Sequence, residues 1–297
     1  MNILMTGGSG FIGKKLCQFL QEKGHLLTIL SRKPETIRSL CGAEVQPIIN
    51  LDELVIDDHF DAVINLAGAG IVDARWTLSR KKILLNSRLE TTQKLINFIN
   101  RAEHKPEVLI SASAVGYYGN HGAEILYETA APHDEFAHQL CAQWEASANQ
   151  AKGQGVRVCI IRIGLVIGAD GGFLKRMLLP FKLGLGGQLG TGEQWMSWIH
   201  RSDLIRIIER LLNSTKLEGV FNAVSPTPVS NAEFTRCLAR LLHRPARLPV
   251  PATALKLLLG EMAGLLLGGQ RVVPSRLQEL GFEFLYPSLE QALKEAL

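Results

Sequence analysis

The residues Thr6-Gly7-Gly8-Ser9-Gly10-Phe11-Ile12-Gly13 decide the fold, because of what stands on either side of them. Before them runs the apolar stretch Asn2-Ile3-Leu4-Met5, which reads as a buried strand over residues 2–6. After them Leu16, Phe19 and Leu20 recur on one face of a helix expected over residues 13–23. A glycine cluster between a strand and a helix is a phosphate cradle. Gly7 permits the tight turn, Gly10 lets the backbone approach a pyrophosphate, and Gly13 lets the helix pack close to the strand. Phe11 and Ile12 then open the helix, and its first N–H groups face the anion.

Further along, fully apolar runs alternate with helical patterns. Strands are expected over 25–30, 62–66, 108–111 and 156–163, and helices over 87–100 and 136–152. Apolar strands that alternate with helices imply a parallel sheet covered on both faces, hence an α/β, doubly wound, Rossmann-type domain. After Ile163 glycines become dense and the alternation stops. Ser202-Asp203 reads as the cap of a helix over 204–212, and the remainder is mostly helical with proline punctuation. The expected organisation is a nucleotide domain over residues 1–165, to which part of 198–225 returns, and a smaller helix-rich domain over 166–297.

The second strand ends Ser31-Arg32-Lys33, and no acid falls between His25 and Pro34. An acid there would hold the ribose hydroxyls of NAD, whereas an arginine suits the 2′-phosphate of NADP. NADP(H) is therefore the expected cofactor, with Ser31 and Arg32 at the phosphate.

Composition narrows the partners. The chain has 297 residues and a formal net charge of +4, with no basic run interleaved with aromatics, so no nucleic acid is expected. The five cysteines are scattered and lack a Cys-x-x-Cys spacing, which reads as buried thiols in a reducing compartment. No basic leader precedes the first strand, and the lipophilic residues 255–267 are interrupted by Lys256, Glu261 and glycines. A cytoplasmic protein with no membrane partner is expected. His133, His138 and Cys141 converge poorly and want a fourth ligand, so no metal is expected.

In these features the chain resembles the extended, epimerase-like short-chain dehydrogenase/reductases. The glycine turn matches theirs, Asn65-Leu66-Ala67-Gly68 resembles their fourth-strand motif, and Ser111-Ala112-Ser113-Ala114-Val115 with Tyr117-Tyr118-Gly119 resembles their active-site segment. Arg162-Ile163-Gly164 resembles the stretch beside the nicotinamide. A closer resemblance is to the atypical "epimerase family protein" subgroup, carried by Arg75-Trp76-Thr77, Ser87-Arg88, Gly186-Gly187-Gln188-Leu189-Gly190 and Gln194-Trp195-Met196-Ser197-Trp198-Ile199-His200. It runs on through Arg244-Pro245, Pro249-Val250-Pro251 and Gly281-Phe282, and so covers nearly the whole chain. The resemblance implies that Leu66, Ala67, Gly68, Arg162 and Gly164 flank the cofactor. It is also in keeping with a homodimer, since related folds pair through helices that flank the sheet.

The resemblance further implies a tyrosine and, four residues on, a lysine that lowers the phenol's pKa for proton exchange. Four residues beyond Tyr117, Tyr118, Tyr127 and Tyr286 stand His121, Gly122, Ala131 and Glu290, so the pair is absent. The serine is present as Ser113, equally readable as an ordinary strand-end residue. Spacing from it puts the tyrosine's place near Ala137 or His138 and the lysine's near Cys141 or Ala142. His138 can exchange protons near neutral pH, yet it lies opposite the stripe Phe136, Leu140, Trp144, which places it on a solvated face. Ser113, Tyr117 and His138 are the catalytic candidates. Gln194, Trp195 and Trp198, with Arg75 and Trp76, either close over a small substrate or brace the structure. The functional expectation is an NADP(H)-dependent oxidoreductase or epimerase-like enzyme acting on a small carbonyl or hydroxyl compound. The alternative is a non-catalytic NADPH-sensing protein.

Overall fold

The computed structural model describes residues 1–297. Seven strands form one parallel sheet: β1 (Asn2–Thr6), β2 (Leu26–Leu30), β3 (Gln46–Ile48), β4 (Ala62–Asn65), β5 (Val108–Ala114), β6 (Arg157–Ile163) and β7 (Gly219–Ala223). Their spatial order is β7-β6-β5-β4-β1-β2-β3. The order reverses between β1 and β4, and the crevice beyond the carboxyl ends of those two strands is where doubly wound sheets take ligands.

Alternation along each strand explains why both faces are covered. Ile3, Met5, Ile64, Ile110 and Cys159 point into one cluster, with Leu16 and Leu20 of α1 (Phe11–Glu22) and, further along the chain, Leu204, Ile208 and Leu211. Leu4, Val63, Leu109 and Val158 point the other way, where Leu95, Phe98, Ile99 and Ala148 meet them. α2 (Ile37–Cys41) joins the first layer; α3 (Leu78–Arg101) and α4 (Phe136–Asn149) supply the second.

Helix α3 begins nine residues before its expected start, capped by Thr77, whose Oγ1 accepts from the Arg80 amide at 3.1 Å. Its first turns carry no apolar stripe, and Leu78 at their head is 82% exposed. Strands β3 and β7 were not expected either. β3 is three residues with a central Pro47, tolerable because it pairs on one side only, and β7 opens on Gly219 and holds the polar Asn222.

The C-terminal region packs α5 (Gly172–Lys182), α7 (Asn231–Leu241) and α11 (Leu289–Ala296) around Trp198 and Phe234. Between α5 and α7 the chain returns to the sheet as α6 (Arg201–Leu212) and β7. The α6 cap is not Ser202-Asp203, as expected, but His200, whose Nδ1 accepts from the Ser202 amide. Asp203 is fully buried instead and accepts from the Leu285 and Tyr286 amides at 2.7 and 3.0 Å, so it ties the C-terminal segment to α6. Three short helices, α8 (Ala252–Leu259), α9 (Gly264–Leu267) and α10 (Ser275–Glu279), complete this region. No helix is long and apolar enough to cross a membrane.

Candidate active site

The glycine turn and the end of β4 face each other across the crevice. Gly7 has φ +74°, and a Cβ there would stand 2.6 Å from the Leu66 carbonyl carbon, so only glycine fits both the turn and the contact. A Cβ at Gly13 would reach the Gly7 carbonyl oxygen at 2.2 Å. Gly10 differs: its Cβ would meet only the Gly7 oxygen, at 3.2 Å, and otherwise open space. Gly10 is also the α1 N-cap and provides no side-chain acceptor, which leaves the first N–H groups of the helix for an external anion. The Phe11 ring is packed under the Gly168–Gly172 loop and lies 4.5 Å from the Arg201 guanidinium, which fixes the start of the helix.

A buried polar network sets the crevice floor. Thr6 Oγ1 donates to Asn65 Oδ1 (2.7 Å), and Asn65 Nδ2 donates to Thr92 Oγ1 (2.9 Å), which also accepts from Trp144 Nε1 (3.1 Å). Thr6 Oγ1 accepts the Ala67 amide as well, so the ends of β1 and β4 are locked to α3 and α4 with their polar groups satisfied. Beyond β2, Arg32 is exposed and takes part in no hydrogen bond or ion pair.

Register explains the next cluster. Ser113, Arg162 and Asn222 are direct partners across β5, β6 and β7, so their side chains share one row on one face of the sheet. The Arg162 guanidinium binds both Glu145 oxygens (2.9 Å each), and Ser113 Oγ donates to Glu145 Oε1 at 2.6 Å. Arg162 Nη1 also donates to the Tyr118 hydroxyl (3.0 Å) and the Glu128 carbonyl (3.2 Å), while Tyr118 donates to Asn222 Oδ1 (2.7 Å). Burial works against the Arg162 charge, but the hydrogen bonds and charge of Glu145 outweigh it and raise its pKa. Burial raises that of Tyr118. The Arg162 charge is thus paired with Glu145, and Ser113 can accept from a ligand but has committed its hydrogen to that carboxylate. Glu145 is the participant that spacing alone did not single out.

On α4, Ala137 and Cys141, like His138 and Ala142, stand four apart where a tyrosine and lysine are implied. A Cβ at Gly116 would touch Ala137 Cβ at 3.3 Å, and burial, then Glu145, pushes the Cys141 thiol up to about 11. His138 is not on a free solvated face. It is half-buried, and its Nδ1 lies 2.7 Å from the Tyr117 carbonyl. A carbonyl only accepts, so Nδ1 carries the hydrogen and Nε2 is left for other partners. The Tyr117 ring is edge-on to His138 at 5.0 Å and stacked by Arg162 at 3.3 Å, while its hydroxyl has no partner in the protein. His133 stacks on His121 at 3.8 Å, away from His138 and Cys141.

Beside Ala137 opens a cavity of about 420 Å³, lined by Trp76, Phe136, Leu265 and Leu267, with Asn120, Glu135 and Glu261 as its polar groups. Trp76 is held edge-on to Phe136 (4.9 Å) and donates to the Ile71 carbonyl. The remaining candidates make contacts within the protein. Arg75 donates to the Leu257 carbonyl, and Arg88 to the Leu84 and Ala69 carbonyls. Gln194 donates to the Leu189 and Leu266 carbonyls, and the Trp195 ring carries Arg271 at 4.2 Å. Trp198 is fully buried, with its indole bonded to the Thr227 carbonyl. Gly164 packs on the Ser197 carbonyl.

Comparison with known proteins agrees with this architecture. The NAD dependent epimerase/dehydratase family matches residues 3–223, and a domain of unknown function, DUF1731, matches residues 250–296. The bovine epimerase family protein SDR39U1 is 38% identical over the full length of both chains. Its chloroplastic homologue from Arabidopsis thaliana is 40% identical, covering 99% of this chain and 86% of the relative. The crystal structure of the human protein with NADPH superposes with a TM-score of 0.91 at 37% identity, covering 100% of this chain and 99% of that one. UDP-galactose 4-epimerase, at 17% identity and a TM-score of 0.77, shares the fold. The chain belongs to the NAD dependent epimerase/dehydratase family.

Proposed function

We propose that the chain is an NADP(H)-dependent oxidoreductase for a small, apolar carbonyl or hydroxyl compound, with His138 as its proton-exchanging group. The observation that carries the reading is the open cradle at Gly10, with the unpartnered Arg32 at the end of the next strand and a cavity of mixed apolar and acidic lining beside Ala137. The solved human relative was crystallised with NADPH, which supports the same cofactor here. Bound NADPH supplies a hydride to a carbonyl carbon. Gly10 and the α1 amides would hold the pyrophosphate, Arg32 the 2′-phosphate, and Leu66, Ala67 and Gly68 the wall opposite the turn. His138, tethered through its Nδ1 hydrogen, would in its imidazolium form deliver the Nε2 proton to the nascent alkoxide, leaving the neutral Nδ1–H tautomer, and regain that proton from solvent. Tyr117 would hydrogen-bond the same oxygen, and Ser113 would stay a positioning residue through Glu145.

The cavity favours an uncharged substrate over a nucleotide sugar. Its charged groups are the carboxylates of Glu135 and Glu261, and the nearest ammonium, Lys81, is paired with Glu261 at 2.6 Å. A diphosphate would meet net negative charge there.

Two measurements test this reading. In titrations followed by tryptophan fluorescence, Arg32→Ala is expected to weaken NADPH roughly 10- to 100-fold and leave NADH unchanged, as loss of a charge-assisted phosphate contact requires. Equal weakening of both cofactors, or none, removes the NADP assignment. In a reductase screen over aldehydes, ketones and quinones, His138→Gln should lower turnover by about 10²–10⁴. Tyr117→Phe and Ser113→Ala should each lower turnover less. Unchanged turnover in His138→Gln would take that residue out of the chemistry.

A further inference from the structure

Among the stretches of the chain without an acidic residue are 171–192, bounded by Asp170 and Glu193, and 234–260, bounded by Glu233 and Glu261. Together they carry eight Lys or Arg residues against a whole-chain excess of four, so the rest of the protein is net acidic. The stretches meet in space. The Leu248 amide donates to the Gly186 carbonyl, the Val250 amide to the Gln188 carbonyl, and the Gly190 amide to the Val250 carbonyl.

This acid-free region also exposes large apolar side chains. Leu179, Leu183 and Leu185, on α5 and its following turn, are 66, 64 and 57% exposed; Leu248, Leu257 and Leu258 are 53, 79 and 65% exposed. Arg176 and Arg240 are neutralised by Asp73 and Glu290, both from outside the two stretches. Lys175, Lys182, Arg244, Arg247 and Lys256 are exposed and belong to no ion pair.

We propose that this leucine-and-lysine/arginine face docks the protein on an anionic lipid surface. Exposed leucines on the same two adjoining stretches as five unpaired cations match an interface whose headgroups are negative and whose interior, just below, is apolar. A second copy fits poorly, because a two-fold pairing would set the same unpaired cations against one another. Nucleic acid fits poorly as well, because the exposed apolar groups are aliphatic and give bases nothing to stack on. The expectation of no membrane partner rested on the want of a spanning segment, and lying on a bilayer needs none.

The test is sedimentation of the full chain with vesicles of phosphatidylcholine alone or with one-quarter phosphatidylserine, and sedimentation velocity without lipid. Binding is expected only to the phosphatidylserine vesicles, falling at least tenfold between low and high salt. It should fall at least tenfold in Leu183→Gln/Leu258→Gln and in Lys182→Glu/Arg247→Glu, with NADPH titrations confirming that both variants are folded. No binding to anionic vesicles, equal binding to neutral ones, or binding that survives both variants overturns the proposal. So does a lipid-free dimer that the leucine variant dissociates, which would assign the face to a second copy.

Discussion

Replacing Arg162 by alanine is expected to destabilise the protein by about 3–5 kcal/mol, the range for removing one partner of a buried ion pair. The side chains of Arg162 and Glu145 are only 4% and 8% exposed. The variant leaves the Glu145 carboxylate dehydrated with the Ser113 hydroxyl as its one side-chain donor, and strips the Tyr118 oxygen and the Glu128 carbonyl of a donor. A carboxylate so placed must either remain charged in an apolar setting or take up a proton, and both are unfavourable. Urea unfolding with two probes measures the loss. The companion Arg162→Met/Glu145→Leu double variant should recover part of it, because two apolar side chains leave no unpaired charge. If the double variant is as unstable as the sum of the two single ones, the pair is not acting as a unit. Because Ser113 loses its acceptor only when Glu145 changes, Glu145→Leu should alter any Ser113-dependent kinetics more than Arg162→Met does.

That cluster also marks how far the sequence could be read. An arginine one residue from the end of the apolar strand 156–163 announces that a buried charge needs a partner, but it does not say which acid answers. The resemblance places Arg162 beside the cofactor without naming a partner for its charge; the structure pairs it with Glu145, seventeen positions away on α4, beside Ser113 from the neighbouring strand. The glycine turn was legible because its signal is local: strand, turn and helix follow one another within about twenty residues, and each glycine's task can be stated before any coordinates. The parallel sheet was legible because its strands are buried on both faces and so read as unbroken apolar runs. β3 and β7 lie at the two edges, where partial exposure admits Pro47 and a glycine start. The start of α3 was hidden for a related reason, since its first turns meet the C-terminal region through Lys81 and Glu261 and not through an apolar stripe. Trp198 was ambiguous because an aromatic in a glycine-rich loop satisfies both a substrate cover and a core plug. Its indole hydrogen bond to Thr227 resolves that ambiguity only in three dimensions.

The glycine turn itself supports a sharper division than the motif suggests, and the expected effects are large. Gly13→Ala would drive a methyl group to 2.2 Å from the Gly7 oxygen and 2.7 Å from the Gly8 oxygen, both backbone atoms that α1 and β1 hold in place. The turn must open, so the variant should lose about 2–3 kcal/mol of stability, as overpacking against fixed atoms does, and bind NADPH at least 100-fold more weakly. Gly10→Ala meets one backbone oxygen at 3.2 Å, and its φ of −75° suits any residue. Its melting temperature should stay within a few degrees of the parent, helped by a less flexible unfolded chain. Yet its methyl would occupy the space through which a pyrophosphate approaches the α1 amides, and NADPH affinity should fall by roughly 1.4–2.8 kcal/mol, a factor of 10 to 100. Thermal melts and fluorescence titrations on the same samples separate the two roles. A Gly10→Ala protein that binds NADPH as tightly as the parent would mean that the phosphate lies elsewhere. A Gly13→Ala protein with parental stability would mean that the close approach of α1 to the turn is not a constraint the fold depends on.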